Sequence, residues 1–194
     1  MRSWNLRSTR TDKAIGVWPL SIAGLLVTAI YGAFLTYGLF MVALLEDFGG
    51  SRAFAAGAYS IYPIMFAVGS VLFSRMADRY PPGRVILLGA TLVAVGFGLS
   101  SLATEPWQLY VFFGLVAGLG SGTLWAPPIS AVLAGVGKTN KNRGLAVSLA
   151  TGGMPFGVLA LPPLAGFLIT IYGWRLAFTA LGIISFALAV PAVL

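Results

Sequence analysis

Residues 15–45 read IGVWPLSIAGLLVTAIYGAFLTYGLFMVALL, a run of 31 residues without a charged side chain. A helix that crosses the hydrocarbon core of a bilayer needs about 20 predominantly apolar residues. The run is therefore long enough for one crossing, with residues to spare. The hydrophobic part of a cleaved signal peptide is only about 7–15 residues long, so we interpret this run as a helix that stays in the protein.

The rest of the chain continues this pattern. Of 194 residues, 58% are hydrophobic and 9% are charged, whereas a soluble domain has roughly 45–50% apolar and about 25% charged residues. Charged residues divide the chain into apolar runs at about 15–45, 53–74, 85–104, 106–137, 144–172 and 176–194. Only helices and closed barrels span a bilayer, and barrel strands alternate in polarity. These continuous runs predict an all-α integral membrane protein with six transmembrane helices in one domain, 15–194.

Ten of the twelve basic residues fall in three alternate segments, 1–14, 75–84 and 138–143. The intervening loops contain only Arg52 and Arg175. Because Lys and Arg are enriched in short cytoplasmic loops, we expect 1–14 to be a cytoplasmic N-terminal segment of a multi-pass cell-membrane protein. The basic residues flank apolar runs, so they indicate orientation and lipid contact and not nucleic-acid binding.

Residue types that carry most enzyme chemistry are absent or misplaced. The chain has no His and no Cys. Its acidic residues all lie in loops or at the ends of runs, at Asp12, Glu46, Asp47, Asp78 and Glu105. A nucleophilic serine needs an adjacent base, and the runs contain none. We therefore expect no enzyme activity, no catalytic residue, no metal site and no cofactor.

Glycine and proline recur inside the runs. Gly114, Gly118 and Gly122 lie four residues apart, as do Gly153 and Gly157. Small residues at this spacing let helix backbones approach closely, which predicts a helix-packing role. Prolines interrupt the runs at 63, 127–128, 155 and 162–163, and interrupted helices are typical of transporter binding sites.

The loop at 74–84 reads SRMADRYPPGR. It resembles the signature loop of the major facilitator superfamily, whose core is Asp-Arg followed by Gly and basic residues. The resemblance implies that Asp78, Arg79 and Arg84 form a cytoplasmic latch between the two halves of a transporter. The alternative is a basic loop that turns at Pro81-Pro82-Gly83.

Further segments are similar to the monocarboxylate and oxalate/formate porter branch of that superfamily. They are EDFGGSR at 46–52, GAYS at 57–60, RGLA at 143–146, PPL at 162–164 and YGWR at 172–175. Some positions depart from the family pattern: Ser74 and Pro81 replace frequent glycines, and Gly83 replaces a frequent basic residue. The resemblance implies the N-terminal half of a facilitator-type 6+6 bundle.

This resemblance implies secondary active transport of a small organic solute by alternating access, with a monocarboxylate or other organic anion as the expected cargo. Tyr31, Tyr62, Trp125 and Thr151 would line the substrate pathway; interfacial anchoring or bundle packing is the alternative for each. The expected partners are the lipid bilayer and either a missing C-terminal six-helix half or a second copy. We expect a truncated half, because residue 194 ends the last run without a cytoplasmic flank. A facilitator for a drug or sugar, and a non-transporting six-helix membrane protein, remain alternatives.

Overall fold

The computed structural model describes residues 17–49, 52–136 and 141–192. The predicted cytoplasmic segment 1–14 and Lys138 lie outside the described residues. Within them, five helices are long and apolar enough to cross a membrane: α1 (Trp18–Phe48), α2 (Arg52–Ala77), α3 (Pro82–Ser101), α4 (Pro106–Gly135) and α5 (Arg143–Ala189). The protein is therefore all-helical in its described parts, as predicted, and its helices are those of a multi-pass membrane protein.

Helix α1 is α-helical over Val17–Ala29, Tyr31–Leu35 and Tyr37–Phe48 and tightens at the two joints between these segments. The N–H of Ala33 donates to the carbonyl of Ile30 at 2.9 Å, and the N–H of Leu39 donates to the carbonyl of Thr36 at 2.9 Å. Bonds between residues three apart belong to a helix with about three residues per turn, in which side chains i and i+3 align. Gly49 ends α1 in the left-handed conformation, with φ of 62°, which glycine adopts without steric cost.

Helix α4 changes its winding along its length. It is α-helical over Pro106–Leu109, a π-helix over Tyr110–Ala117, α-helical over Gly118–Ser121, a 3₁₀-helix over Gly122–Leu124 and α-helical again over Ala126–Gly135. The last change coincides with Pro127-Pro128, because proline lacks the N–H that would continue the preceding turn. Helix α4 packs between α2 and α3.

The glycines singled out in the sequence lie where helix backbones approach each other. A Cβ atom built on Gly118 would lie 2.9 Å from the carbonyl oxygen of Tyr62, and one on Gly114 would lie 3.0 Å from the Cβ of Ile61. In the remaining members an added Cβ atom would meet backbone atoms more closely still: at Gly122 the backbone of Gly69 and Ser70, at Gly153 that of Leu25, and at Gly157 that of Ala29. Larger side chains at these positions would force α4 away from α2, and α5 away from α1.

Helix α5 contains one non-helical residue, Gly173, with φ of 82° and ψ of 165°. Before Gly173, the residues of α5 contact those of α1 in the same order along both helices. Gly153 lies against Leu25, Gly157 against Ala29 and Gly166 against Leu39. After it, the contacts with the same helix run in opposite orders: Trp174 meets Phe48 and Phe178 meets Phe40. The two parts of α5 therefore run in opposite directions. Sequence analysis predicted separate helices at 144–172 and 176–194, and the non-helical residue Gly173 lies between these two runs.

Candidate substrate pathway and the polar residues at the two ends

A group of stacked aromatic rings from α1, α2 and α4 occupies the middle of the bundle. The ring of Phe34 stacks with those of Tyr59 and Tyr62, at centroid distances of 4.7 and 4.3 Å. Tyr37 stacks on Phe113 at 4.4 Å. These rings and Tyr31, whose ring lies 5.8 Å from that of Phe34, are called the aromatic group below.

Hydroxyl groups of the aromatic group tie neighbouring helices together. The hydroxyl of Tyr62 bonds to the Oγ of Ser121. Because Ser121 donates its own proton to the carbonyl of Ala117 at 2.9 Å, Tyr62 is the donor in that pair. The hydroxyl of Tyr37 donates to the carbonyl of Ala55 at 3.2 Å. Buried polar groups are almost always hydrogen-bonded, and these bonds fix α2 against both α4 and α1.

The structure brings two of the four predicted pathway residues together. Tyr31 and Tyr62 both contact Phe34, and Tyr31 is partly exposed whereas Tyr62 is only 2% exposed. Trp125 lies at the bend of α4 and is 36% exposed. The hydroxyl of Thr151 donates to the carbonyl of Val147 in its own helix at 3.0 Å. Among the described residues, no ring contact or hydrogen bond joins Trp125 or Thr151 to the aromatic group.

Sequence reasoning missed Phe34, Tyr37 and Tyr59. A detectable pattern was present, because Tyr31, Phe34, Tyr37 and Phe40 follow one another at intervals of three. In a regular α-helix this spacing drifts around the axis, since one turn takes 3.6 residues. The tightened joints of α1 hold residues 31, 34 and 37 toward the aromatic group. On α2, Tyr59 and Tyr62 are also three apart and share one face.

At one end of the bundle, two of the predicted latch residues, Asp78 and Arg79, lie in the turn between α2 and α3, and the third, Arg84, lies in the first turn of α3. The N–H groups of Arg79 and Tyr80 both donate to the carbonyl of Met76, at 3.0 and 2.9 Å. Pro81 then takes an extended conformation, and α3 begins at Pro82. Asp78, Arg79 and Arg84 are all exposed. Within the described residues, their side chains form no ion pair and no hydrogen bond.

At the opposite end, Asp47, Trp174, Arg175 and Ser101 join α1, α5 and α3, and we call these residues the closing cluster. Trp174 Nε1 donates to Asp47 Oδ2 at 3.0 Å. Arg175 lies 3.6 Å from the same oxygen, donates to the carbonyl of Ser101 at 3.4 Å and covers the Trp174 ring at 4.4 Å. Sequence reasoning named Asp47 and Arg175 in separate motifs but did not pair them, since nothing in their spacing indicates contact.

The sequence of this chain is similar to those of known membrane transporters. The family model described as Major Facilitator Superfamily matches residues 18–194. Monocarboxylate transporter 13 of Rattus norvegicus is 30% identical over 147 residues, 75% of this chain and 33% of that protein. Monocarboxylate transporter 14 of Homo sapiens is 30% identical over 162 residues, 83% of this chain and 31% of that protein. The chain thus spans about a third of the length of these relatives, which are named as transporters and not as enzymes.

A solved structure resembles the fold. The crystal structure of peptide transporter POT (E310Q mutant) in complex with alafosfalin superposes with a TM-score of 0.78 at 18% identity, over 92% of this chain and 37% of that one. At this identity the likeness concerns the fold alone.

Proposed function

Because the chain belongs to the major facilitator superfamily, and within it to the monocarboxylate transporter branch, we propose that it is one half of a secondary transporter. The cargo is a small organic solute, a monocarboxylate or another organic anion, and the mechanism is alternating access. The observation that carries this proposal is the family match over residues 18–194. The names of the relatives support the class of cargo.

The proposed half crosses the membrane six times, with residues 15–194 as one transmembrane domain. A continuous helix over Arg143–Ala189 has 47 residues and would be roughly 70 Å long at about 1.5 Å per residue. The hydrocarbon core is only about 30 Å thick. The reversal of contacts at Gly173 supports two crossings in place of one.

The N-terminus is cytoplasmic in this proposal, and so is the α2–α3 turn. Gly83, in the first turn of α3 directly after that turn, and Leu20, near the start of α1, line the same small cavity, so both belong to one end of the bundle. Arg75, Arg79, Arg84, Lys141 and Arg143 accumulate at this end, as expected for the cytoplasmic side of a cell-membrane protein. The closing cluster then faces away from the cytoplasm.

The partner bundle is a second set of six helices, supplied by a continuing polypeptide or by a second copy. This chain covers only about a third of the length of its relative monocarboxylate transporter 13, which supports such a partner.

In transporters of this architecture the site lies near the midplane between two repeats that rock against each other. The partly exposed Tyr31 and Tyr59 lie at the edge of the aromatic group and would face the cargo, together with Trp125 and Thr151. Tyr62 is buried and would hold the aromatic group in place from inside the bundle.

The cytoplasmic latch is proposed for Asp78 and Arg79. Both are exposed in a short turn at the cytoplasmic end, where the termini of helices in the partner bundle would supply complementary charge. A carboxylate near a helix N-terminus gains roughly 0.3–1 kcal/mol. This is enough to bias a closed state without locking it.

Uptake into vesicles tests the transport proposal. The complete gene product would be reconstituted in phosphatidylcholine vesicles and supplied with radiolabelled L-lactate, with glucose as the matched neutral solute. We expect saturable lactate uptake above that of protein-free vesicles. Uptake of glucose alone would favour a sugar facilitator, and uptake of neither, by protein shown to be folded, would contradict transport of monocarboxylates.

A further inference from the structure

An open groove between the end of α2 and the start of α3 has a charged rim and an apolar floor. It has a volume of about 210 Å³ and is lined by Met76, Tyr80, Arg84, Val85 and Leu88. Arg84 lines this α2–α3 groove, whereas Asp78 and Arg79 do not. The groove therefore separates Arg84 from the other two residues that the loop motif groups with it.

The side of α3 that continues from the groove is suited to hydrocarbon. Arg84, Leu88, Thr91 and Val95 are exposed and follow one another at spacings of four, three and four residues, which places them on one helix face. The hydroxyl of Thr91 is satisfied inside the helix, by donation to the carbonyl of Leu87 at 2.8 Å. Below Arg84, the stripe therefore exposes no unsatisfied side-chain polar group.

This face also differs from the helix contacts within the bundle. Those contacts rely on glycine, with backbone atoms close to the position of a Cβ atom, as at Gly118 and Gly157. The α3 stripe instead exposes Leu88 and Val95, at 43% and 45%. Branched side chains hold a neighbouring helix at a distance but pack readily against acyl chains.

Charge decides which lipid fits. Among the residues that the structure describes, no acidic residue lines the α2–α3 groove and the guanidinium of Arg84 has no ion-pair partner. Basic grooves at the cytoplasmic ends of transmembrane helices bind anionic headgroups, and the planar guanidinium matches a phosphate with two parallel hydrogen bonds.

We propose that the α2–α3 groove binds an anionic phospholipid, whose phosphate contacts Arg84 and whose acyl chain lies along Leu88 and Val95. Tyr80, which is 56% exposed at the rim, presents the aromatic body and polar tip that are favoured at headgroup depth. The inference rests on the membrane topology proposed above, but it does not depend on the cargo. It removes Arg84 from the latch and assigns it to lipid.

Native mass spectrometry of the full chain in dodecyl maltoside tests the site, with titration of phosphatidylglycerol and, separately, phosphatidylcholine. We expect Arg84→Gln to weaken phosphatidylglycerol binding about fivefold, the factor that corresponds to roughly 1 kcal/mol per basic residue at a membrane surface. The matched control is Arg79→Gln, which removes the same charge from the same turn but outside the groove and should change binding less than twofold. Arg84→Lys should retain most of the binding, and inorganic phosphate should not displace the lipid.

Equal losses in Arg84→Gln and Arg79→Gln would overturn the proposal, because binding would then depend only on net charge. Equal affinity of the wild-type chain for the two lipids would overturn it as well. Circular dichroism of each variant separates loss of the site from loss of the fold, and Arg84→Ala, which also removes the guanidinium, carries the test if Arg84→Gln does not fold. Lipid binding is measured without cargo, so a failed uptake assay would leave this result standing.

Discussion

The two ends of the bundle treat their charged residues differently. In the closing cluster, Asp47 accepts from Trp174 and pairs with Arg175, and Arg175 also reaches the carbonyl of Ser101. At the α2–α3 turn, Asp78 and Arg79 are exposed and form no such contact among the described residues. The first arrangement holds α1, α3 and α5 together. The second leaves its charges available to partners outside the described residues.

Among these predictions, we expect the largest loss of unfolding free energy from Trp174→Ala at the closing cluster. Trp174 is 6% exposed and packs edge-on against Phe178 at 6.1 Å, so truncation leaves a cavity and removes the hydrogen bond to Asp47. We expect the free energy of unfolding to fall by about 3 kcal/mol, measured by denaturant titration in detergent. Trp174→Phe is the control; it keeps most of the ring volume and should cost about 1 kcal/mol, the value of one hydrogen bond. Equal losses in both would contradict a packing role.

Gly173→Ala tests the reversal beside the closing cluster. A Cβ atom built at Gly173 meets no other described residue within 4 Å, so we expect any effect to come from the backbone conformation and not from a clash. Alanine in this glycine region of φ and ψ costs about 1–3 kcal/mol. The same titration should show this loss, whereas Gly98→Ala, at an α3 glycine whose added Cβ is also unobstructed, should not lower stability. If Gly173→Ala had the same stability as the wild-type protein, the backbone would not turn at Gly173 as described.

Asp78→Asn should affect transport and leave stability intact. Its carboxylate forms no ion pair or hydrogen bond within the described residues, so we expect a change of less than about 0.5 kcal/mol in unfolding free energy. The initial rate of cargo uptake by the complete transporter should fall by up to about fivefold, equivalent to the roughly 1 kcal/mol that a carboxylate contributes at a helix N-terminus. Membrane insertion should be unchanged in a protease-protection assay. A transport rate that stays at the wild-type level would remove Asp78 from the latch.

Asp47→Asn is the matched change at the other end and should show the smallest effect. The side chains of Asp47 and Arg175 are 51% and 48% exposed, so water screens the ion pair, and asparagine can still accept from Trp174. We expect a loss of about 0.5 kcal/mol in the denaturant titration, with uptake within a factor of about two of wild type. A tenfold loss of uptake would show that the closing cluster moves during transport and does not simply hold α1, α3 and α5 together.

Much of the fold could be predicted because hydrocarbon imposes a simple requirement on length and polarity. The predicted runs 53–74 and 85–104 overlap α2 and α3 to within three residues at each end. These bounds could be predicted because charged residues mark the ends of both runs. Hydropathy could not show that the backbone of α5 reverses its direction at Gly173 within a single residue, because that depends on the positive φ of this residue.

The candidate site was harder to predict, for a geometric reason. Which side chains meet depends on how each helix is rotated, and the tightened joints in α1 changed that rotation locally. Tyr31 and Tyr62 were identified as amphipathic residues at a suitable depth, but the stacking of Phe34 with Tyr59 required the winding of α1. The pairing of Asp47 with Trp174 spans 127 positions, and no local pattern connects them.

Cysteine accessibility tests the central claim most directly, since the chain has no native cysteine. Single variants Tyr80→Cys, at the α2–α3 turn, and Tyr172→Cys, beside the closing cluster, would be labelled in intact cells and in inverted vesicles with a membrane-impermeant maleimide. A six-crossing half with a cytoplasmic turn predicts labelling of Tyr172→Cys from outside and of Tyr80→Cys only from the cytoplasmic face. Labelling of both from the same side, or a Tyr172→Cys that reacts from neither, would contradict the account.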